Sequence, residues 1–112
     1  MSESDRIRLQ HMRDAACEAL SFAEGKDRVD LAGDRMLALA LIGEILIIGE
    51  AAAKVSADIR HSAPSIPWGD IIGMRNRLIH AYADIDFDIL WDTVRLFLSP
   101  LIKDLEALLR EG

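Results

Sequence analysis

The sequence predicts an all-α fold, an antiparallel bundle of four main helices. Its 112 residues suffice for one domain around one hydrophobic core, so we expect a single unit over residues 1–112. The composition is 51% hydrophobic but only 5% aromatic, and Ala, Leu and Ile dominate, which favours helices over strands. Apolar residues also recur at steps of three and four, the period of an amphipathic helix.

The first half of the chain is predicted to hold two of these helices. The first spans residues 4–24 and ends at Gly25. A polar connector follows, up to about residue 34. The second helix, residues 35–60, contains no proline and is apolar on nearly every side, so we expect the bundle and a second subunit to cover it.

Two further helices are predicted after a proline-containing connection at residues 61–67. The third begins near Trp68 or Asp70 and runs to about Ile85. Its apolar stripe steps by three, four, three and four residues through Ile71, Met74, Leu78, Ala81 and Ile85. The last helix starts at an Asp86 or Asp88 cap, and Pro100 is expected to kink it.

The charge and the cysteine content restrict the functional class. A lone cysteine, Cys17, cannot form an intrachain disulfide, and no secretory signal pattern is visible, so we expect a cytoplasmic protein. Residues 36–55 have a membrane-like length but contain three charges, which predicts a helix buried in protein and no membrane partner. The net charge of -6 argues against bulk electrostatic binding of nucleic acid. However, residues 60–82 hold three arginines against one aspartate.

The candidate chemistry lies between residues 75 and 82, which include two guanidiniums, an amide, an imidazole and a phenol. On a continuous helix, Asn76 and His80 share a face opposite the apolar stripe, while Arg75 and Tyr82 lie near its edge. Arg75 and His80 are then about 140° apart at 100° per residue. They converge on one phosphate only if the helix ends early or a second subunit contributes. The alternative for each residue alone is an ordinary solvated polar face.

Together, Arg75, His80 and Tyr82 resemble the Arg, four residues, His, one residue, Tyr pattern of HepT-like toxins, members of the HEPN superfamily. The flanking sequences are similar to that family as well, over roughly residues 5–109. They are Ile48-Gly49-Glu50-Ala51-Ala52, Ile66-Pro67-Trp68, Ile71-Ile72-Gly73-Met74-Arg75-Asn76 and Asp84-Ile85-Asp86.

The resemblance implies the toxin of a toxin–antitoxin pair, a helical-bundle homodimer with metal-independent endoribonuclease activity and the motif near the subunit interface. It implies RNA as the substrate, with neither DNA nor a cofactor. It also implies a minimal nucleotidyltransferase as antitoxin, which in some members attaches AMP to the tyrosine that corresponds to Tyr82.

The residue chemistry is compatible with this reading. His80 is the expected general acid and base, because imidazole titrates near neutrality. Arg75 would stabilise the phosphorane, and Asn76 and Arg77 would position phosphate or RNA. Attack by the ribose 2′-OH needs no metal and restricts the reaction to RNA. The alternative is a non-catalytic helical module that partners a nucleotidyltransferase, a reading that the acidic charge favours.

Two other acidic features have structural interpretations. The Asp84-x-Asp86-x-Asp88 spacing resembles a calcium loop, but Ile89 and Arg95 occupy the positions of its glycine and glutamate, so we predict capping and no metal. Glu44 and Glu50 interrupt the apolar helix and must find partners, for which an arginine of the motif helix is plausible. A structural ion pair or an exposed notch is at least as plausible as a catalytic role.

Overall fold

The computed structural model describes residues 1–80 and 84–111, and of His80 only the backbone. These residues confirm the predicted all-α class. The elements are α1 (Glu3–Ala23), α2 (Arg28–Gly33), α3 (Arg35–Lys54), α4 (Ala57–Ser62), α5 (Trp68–Leu78), β1 (Ile79–His80), β2 (Asp84–Ile85), α6 (Phe87–Asp92), a π-helical segment (Thr93–Phe97) and α7 (Leu98–Glu111). α3 packs against α1 and α5, and α1 also packs against α7.

The first helix begins and ends where local chemistry dictates. The Ser2 hydroxyl accepts a hydrogen bond from the Asp5 amide at 3.0 Å, which caps one free donor of the first turn. At the other end Gly25 has a φ of 74°, a left-handed conformation that glycine adopts without a steric penalty. The predicted boundaries of α1 are therefore nearly those observed.

The connector predicted before α3 instead contains the short helix α2. The Asp27 amide donates to the Asp30 carboxylate at 2.7 Å, which stabilises the first turn. Leu31 is fully buried and anchors this turn to the core. The sequence analysis missed α2 because the segment is short and mostly polar, and because Leu31 is its one residue in the core.

The second predicted helix is divided at Ser56, so its expected end near Arg60 is wrong. α3 ends at Lys54, and the Ser56 hydroxyl caps α4 by accepting from the Ile59 amide. The Asp5 carboxylate accepts from the Ser56 amide at 2.9 Å and from its hydroxyl at 2.7 Å. These two bonds from α1 fix Ser56 outside the helix, a tertiary contact that the local sequence does not reveal.

Among the described helices, α3 alone has the length and apolar composition of a membrane span, with a mean hydropathy of 2.0. The core helix of a soluble protein passes the same test. Here α3 is the central helix of the bundle, and its buried residues include Leu41, Ile45 and Ile48. The packing supports the interpretation of α3 as a core helix.

The third predicted helix ends seven residues early, at Leu78 instead of about Ile85. Ile79 and His80 form β1, which pairs antiparallel with β2 through Ile79–Ile85 and His80–Asp84. The Asp86 amide also donates to the Leu78 carbonyl at 2.9 Å. The β-branched pair Ile79 and Ile85 favours extended backbone, and the apolar helical stripe is interrupted here.

The last helical region contains a π-helical segment that ends three residues before Pro100. The Asp86 carboxylate caps α6 by accepting from the Ile89 amide at 3.0 Å. After α6 the chain forms the π-helical turn Thr93–Phe97 and then α7, which includes Pro100. Proline has no amide hydrogen for the carbonyl four residues earlier, that of Leu96, and the wider turn accommodates this loss.

Candidate active site

Arg75 lies at a cleft between α3 and α5. The cleft has a volume of about 220 Å³, and α3 supplies Glu50 as its acidic residue. Its remaining walls are apolar or small, namely Ile45, Leu46, Gly49, Ala53, Ile71 and Ile72. Arg75 is exposed, so its guanidinium can meet a ligand that enters from solvent. The cleft thus presents one guanidinium and one carboxylate between apolar or small walls.

Gly49 sets the width of this cleft, because α5 passes very close to it. A Cβ atom at Gly49 would lie 3.1 Å from the Ile71 carbonyl oxygen, closer than ordinary van der Waals contact. The absence of a side chain therefore lets the two helix backbones approach each other. The position of Arg75 relative to Glu50 depends on this approach.

Two further contacts hold α5, one at its first turn and one near its middle. The Trp68 indole donates to the Ala63 carbonyl at 3.1 Å, which anchors the first turn. The Thr93 hydroxyl donates to the Ile89 carbonyl at 2.7 Å and lies 3.9 Å from the Met74 sulfur. Arg75, Asn76 and Arg77 thus lie near the C-terminal end of a helix that is packed against its neighbours, and His80 follows in β1.

The end of α5 is favourable for arginine. Arg75 and Arg77 lie in the last turn, where the unpaired carbonyls carry the negative end of the helix dipole. The last backbone hydrogen bond of the helix joins the Ile79 amide to the Arg75 carbonyl. The helix dipole therefore favours cations here, and no ion pair of the described residues involves Arg75 or Arg77.

The early end of α5 removes the basis of the predicted helical phase between Arg75 and His80. Because His80 belongs to β1, the separation of about 140° does not apply, nor does a shared helical face of Asn76 and His80. This is the early ending that convergence of Arg75 and His80 within one chain required. The His80 side chain and Tyr82 lie outside the described residues, so their predicted roles stay predictions.

The other two predicted positioning residues are not brought together. Asn76 is exposed on α5. Arg77 lines a different cleft, of about 250 Å³, together with Asp70, Met74, Asp92, Thr93, Leu96 and Phe97. Arg75 and Arg77 therefore open on opposite sides of the helix, as their spacing of two residues requires.

The two glutamates of α3 differ in environment, and the arginine partner expected for Glu44 is wrong. Glu44 is 7% exposed, and its Oε2 atom has no hydrogen-bond partner. Burial, together with a hydrogen bond and repulsion from Glu18, raises the pKa of Glu44 to about 7. Glu50 is exposed at the Arg75 cleft, and no ion pair joins the two within the described residues.

Sequence reasoning missed Gly49 as the residue that sets the cleft, and left Glu50 undecided. The signal was weak, since a glycine in an apolar helix has many explanations. Within residues 1–80 and 84–111, no group of three or more His, Cys, Asp and Glu side chains is arranged to hold a metal ion. The described cleft offers one guanidinium, that of Arg75, and one carboxylate, that of Glu50.

Comparison with known proteins gives the family. The model of the family described as "Ribonuclease HepT-like" matches residues 12–108. The chain belongs to the HepT-like ribonuclease family. This confirms the resemblance seen in the motif and supports a ribonuclease function.

Several relatives of this HepT-like chain carry names of the same kind. A Methanocaldococcus jannaschii protein named as a candidate RNase is 32% identical over 95% of this chain and 98% of its own. A Caldanaerobacter subterraneus protein, also named as a candidate RNase, is 28% identical over 97% of each chain. A Thermococcus cleftensis protein named as a probable ribonuclease HepT is 39% identical over 70% of this chain and 72% of its own. No solved structure gives a significant match.

Proposed function

We propose that this HepT-like protein is a metal-independent endoribonuclease and the toxin of a toxin–antitoxin pair. The observation that carries the proposal is the end of α5 at Leu78, three residues after Arg75 and two before His80. Arg75 is exposed at an open cleft. On a continuous helix His80 would point away from that cleft, and because α5 ends before His80 this restriction does not apply. Family membership supplies the class of substrate, RNA.

The proposed reaction is transfer of the phosphoryl group to the neighbouring 2′ oxygen. His80 takes the proton of the 2′-OH as the 2′ oxygen bonds to phosphorus, and the bond from phosphorus to the 5′ oxygen breaks. A protonated imidazole returns a proton to that leaving 5′ oxygen. Arg75 stabilises the charge that develops on the phosphorane, and Asn76 positions the phosphate. Arg77 opens on another cleft and is left outside this group.

A homodimer is part of the proposal, because one imidazole cannot easily serve as base and acid at once. Exposed apolar side chains support it: on α3 Met36 is 82% exposed and Leu39 is 48% exposed. Ile72 of α5 is also exposed, at the edge of the Arg75 cleft. Pairing of two such surfaces removes apolar area from water and brings two clefts near each other.

The partner that we propose for regulation is a minimal nucleotidyltransferase, with Tyr82 as acceptor of AMP. The added phosphodiester is negatively charged, so it would pair with the Arg75 guanidinium and repel the phosphates of RNA. The check is the intact mass after incubation with the cognate transferase and ATP, compared with Tyr82→Phe. An unchanged mass of the parent would contradict this part of the proposal and leave the ribonuclease proposal standing.

The experiment that tests the reaction uses RNA and a matched oligonucleotide with 2′-deoxyribose at the cleavage position, both in excess chelator. We expect cleavage of the RNA alone, with products that end in 2′,3′-cyclic phosphate. Cleavage of the deoxy substrate at the same position, or loss of all activity in chelator, would refute metal-independent 2′-OH attack. Absence of cleavage under all conditions would favour the non-catalytic alternative.

A further inference from the structure

A second cleft, between α1 and α3, differs in character from that of Arg75. Its volume is about 100 Å³, and it is lined by Arg8, His11, Ile47, Glu50, Ala51 and Lys54. We call it the α1–α3 groove. Two permanent cations and an imidazole thus face one carboxylate, in a protein with a net charge of -6.

Helical spacing directs these side chains to one place. Arg8 and His11 are three residues apart on α1, and Glu50 and Lys54 are four apart on α3. Residues at these spacings lie on the same helix face. The groove is therefore built from one face of each helix.

Within residues 1–80 and 84–111, the side chains of Arg8 and Lys54 form no ion pair. In the described part of the chain the ion pairs are Arg13–Asp14 and Arg28–Asp88. No described carboxylate or carbonyl accepts a hydrogen bond from the side chain of Arg8, His11 or Lys54. Arg8 and Lys54 outnumber Glu50, the carboxylate of the groove, so the groove can attract an external anion.

The groove and the Arg75 cleft are neighbours across α3. Glu50 lines both of them, and both lie along the C-terminal half of this helix. Because they share this side chain, the two clefts lie on adjacent faces of α3. A short single strand of nucleic acid can contact both.

We propose that the α1–α3 groove is a second RNA contact site, in which Arg8, His11 and Lys54 bind the phosphate backbone beside the cleaved position. The groove is smaller than the roughly 300–1,000 Å³ of clefts that enclose drug-sized ligands, so it suits a phosphate group better than a base. The inference rests on the proposed function only in taking RNA as the ligand. It gives an acidic protein a local site for the phosphate contacts that dominate affinity.

The test measures binding of a fluorescein-labelled oligouridine by anisotropy, between about 50 and 200 mM salt. To prevent cleavage, all proteins carry His80→Ala. Arg8→Gln with Lys54→Gln removes two cations of the groove. Lys26→Gln with Lys103→Gln makes the same charge change at exposed positions outside the two clefts.

We expect the groove variant to bind RNA about tenfold more weakly at low salt, and the control variant to bind as the parent does. The slope of log affinity against log salt should fall in magnitude by roughly 1.4, because each contact to a single strand contributes about 0.7. In a background with His80 intact, KM for a long RNA should rise while kcat is retained. Equal binding and equal slopes in the two variants would overturn the inference.

The failure of this inference is distinguishable from the failure of the proposed function. A protein that cleaves RNA, but whose salt slope is the same in both variants, contradicts the groove alone. A protein that does not cleave RNA, but whose binding slope depends on Arg8 and Lys54, contradicts the proposed reaction and supports the groove.

Discussion

Replacing Glu44 by glutamine should stabilise the protein at alkaline pH and not at acidic pH. Glu44 is buried, one of its oxygens has no partner, and its pKa is raised from 4.5 to about 7 by burial and by Glu18. The folded state therefore binds a proton more tightly than the unfolded state. Between pH 4.5 and 7 the stability of the parent must fall as pH rises, because the folded state retains a proton that the unfolded state has lost.

The size of the effect follows from the pKa difference. At about 1.4 kcal/mol per unit, the rise to about 7 sets an upper limit of roughly 3 kcal/mol above that pH. Glu18 is exposed and solvent screens its charge, so we expect about 1–2 kcal/mol. Glutamine keeps the shape of the side chain, carries no charge and can donate a hydrogen bond to Glu18.

The assay is thermal unfolding of the parent and Glu44→Gln at one protein concentration, at pH 4, below the ordinary pKa of glutamate, and at pH 8. We expect Tm values within about a degree of each other at pH 4, and a Tm higher by about 4–8 °C in the variant at pH 8. The control Glu106→Gln, at an exposed position of α7, should have the Tm of the parent at both pH values. A Glu44→Gln protein that is less stable than the parent at pH 8 would refute the reasoning.

Three further predictions concern the contacts that shape the fold and the site. Asp5→Asn should lower stability at pH 7 by about 1–3 kcal/mol, because the hydrogen bonds from the Ser56 amide and hydroxyl lower the pKa of Asp5. Since that contribution is lost as pH falls through the lowered pKa, the difference from the parent in denaturant unfolding should shrink below pH 3.8, and a constant difference would argue against it. Gly49→Ala should displace α5 by a few tenths of an ångström and reduce RNA cleavage, whereas Gly69→Ala meets no atom within 4 Å and should leave the rate unchanged. Met36→Lys places a charge among the exposed apolar side chains of α3, so it should weaken self-association, measured as the mass by light scattering at micromolar concentration. Val29→Lys, at an exposed residue of α2 outside that set, is the control. Equal masses for the two variants would count against the proposed interface.

The sequence predicted those features of the fold that depend on nearby residues. The aspartate cap at Asp86, the glycine that ends α1 and the helical period of the core residues act within a few positions of the chain. The end of α3 was not predictable in this way, because Ser56 is fixed by Asp5, 51 residues earlier. The end of α5 likewise depends on the pairing of Ile79 with Ile85.

The candidate site shows the same division. The motif residues were visible as a pattern, and Arg75 does open on a cleft. The walls of that cleft come from α3, and neither Gly49 nor Glu50 could be assigned to it before the packing of α3 against α5 was known. The α1–α3 groove likewise forms between helices that are distant in sequence. His11 and Lys54 could therefore not be predicted to bind RNA from the sequence alone.

The central claim is that Arg75 and His80 act on one phosphate of RNA. Its most direct test is the single-turnover rate of RNA cleavage in chelator by the parent, His80→Ala and Arg75→Ala, with Arg110→Ala as a control for loss of a cation on α7. We predict a loss of about 10²–10⁴-fold for His80→Ala and of about 10²–10³-fold for Arg75→Ala, with Arg110→Ala near the parent rate. Folded variants at both motif positions that cleave RNA at the parent rate would contradict the account.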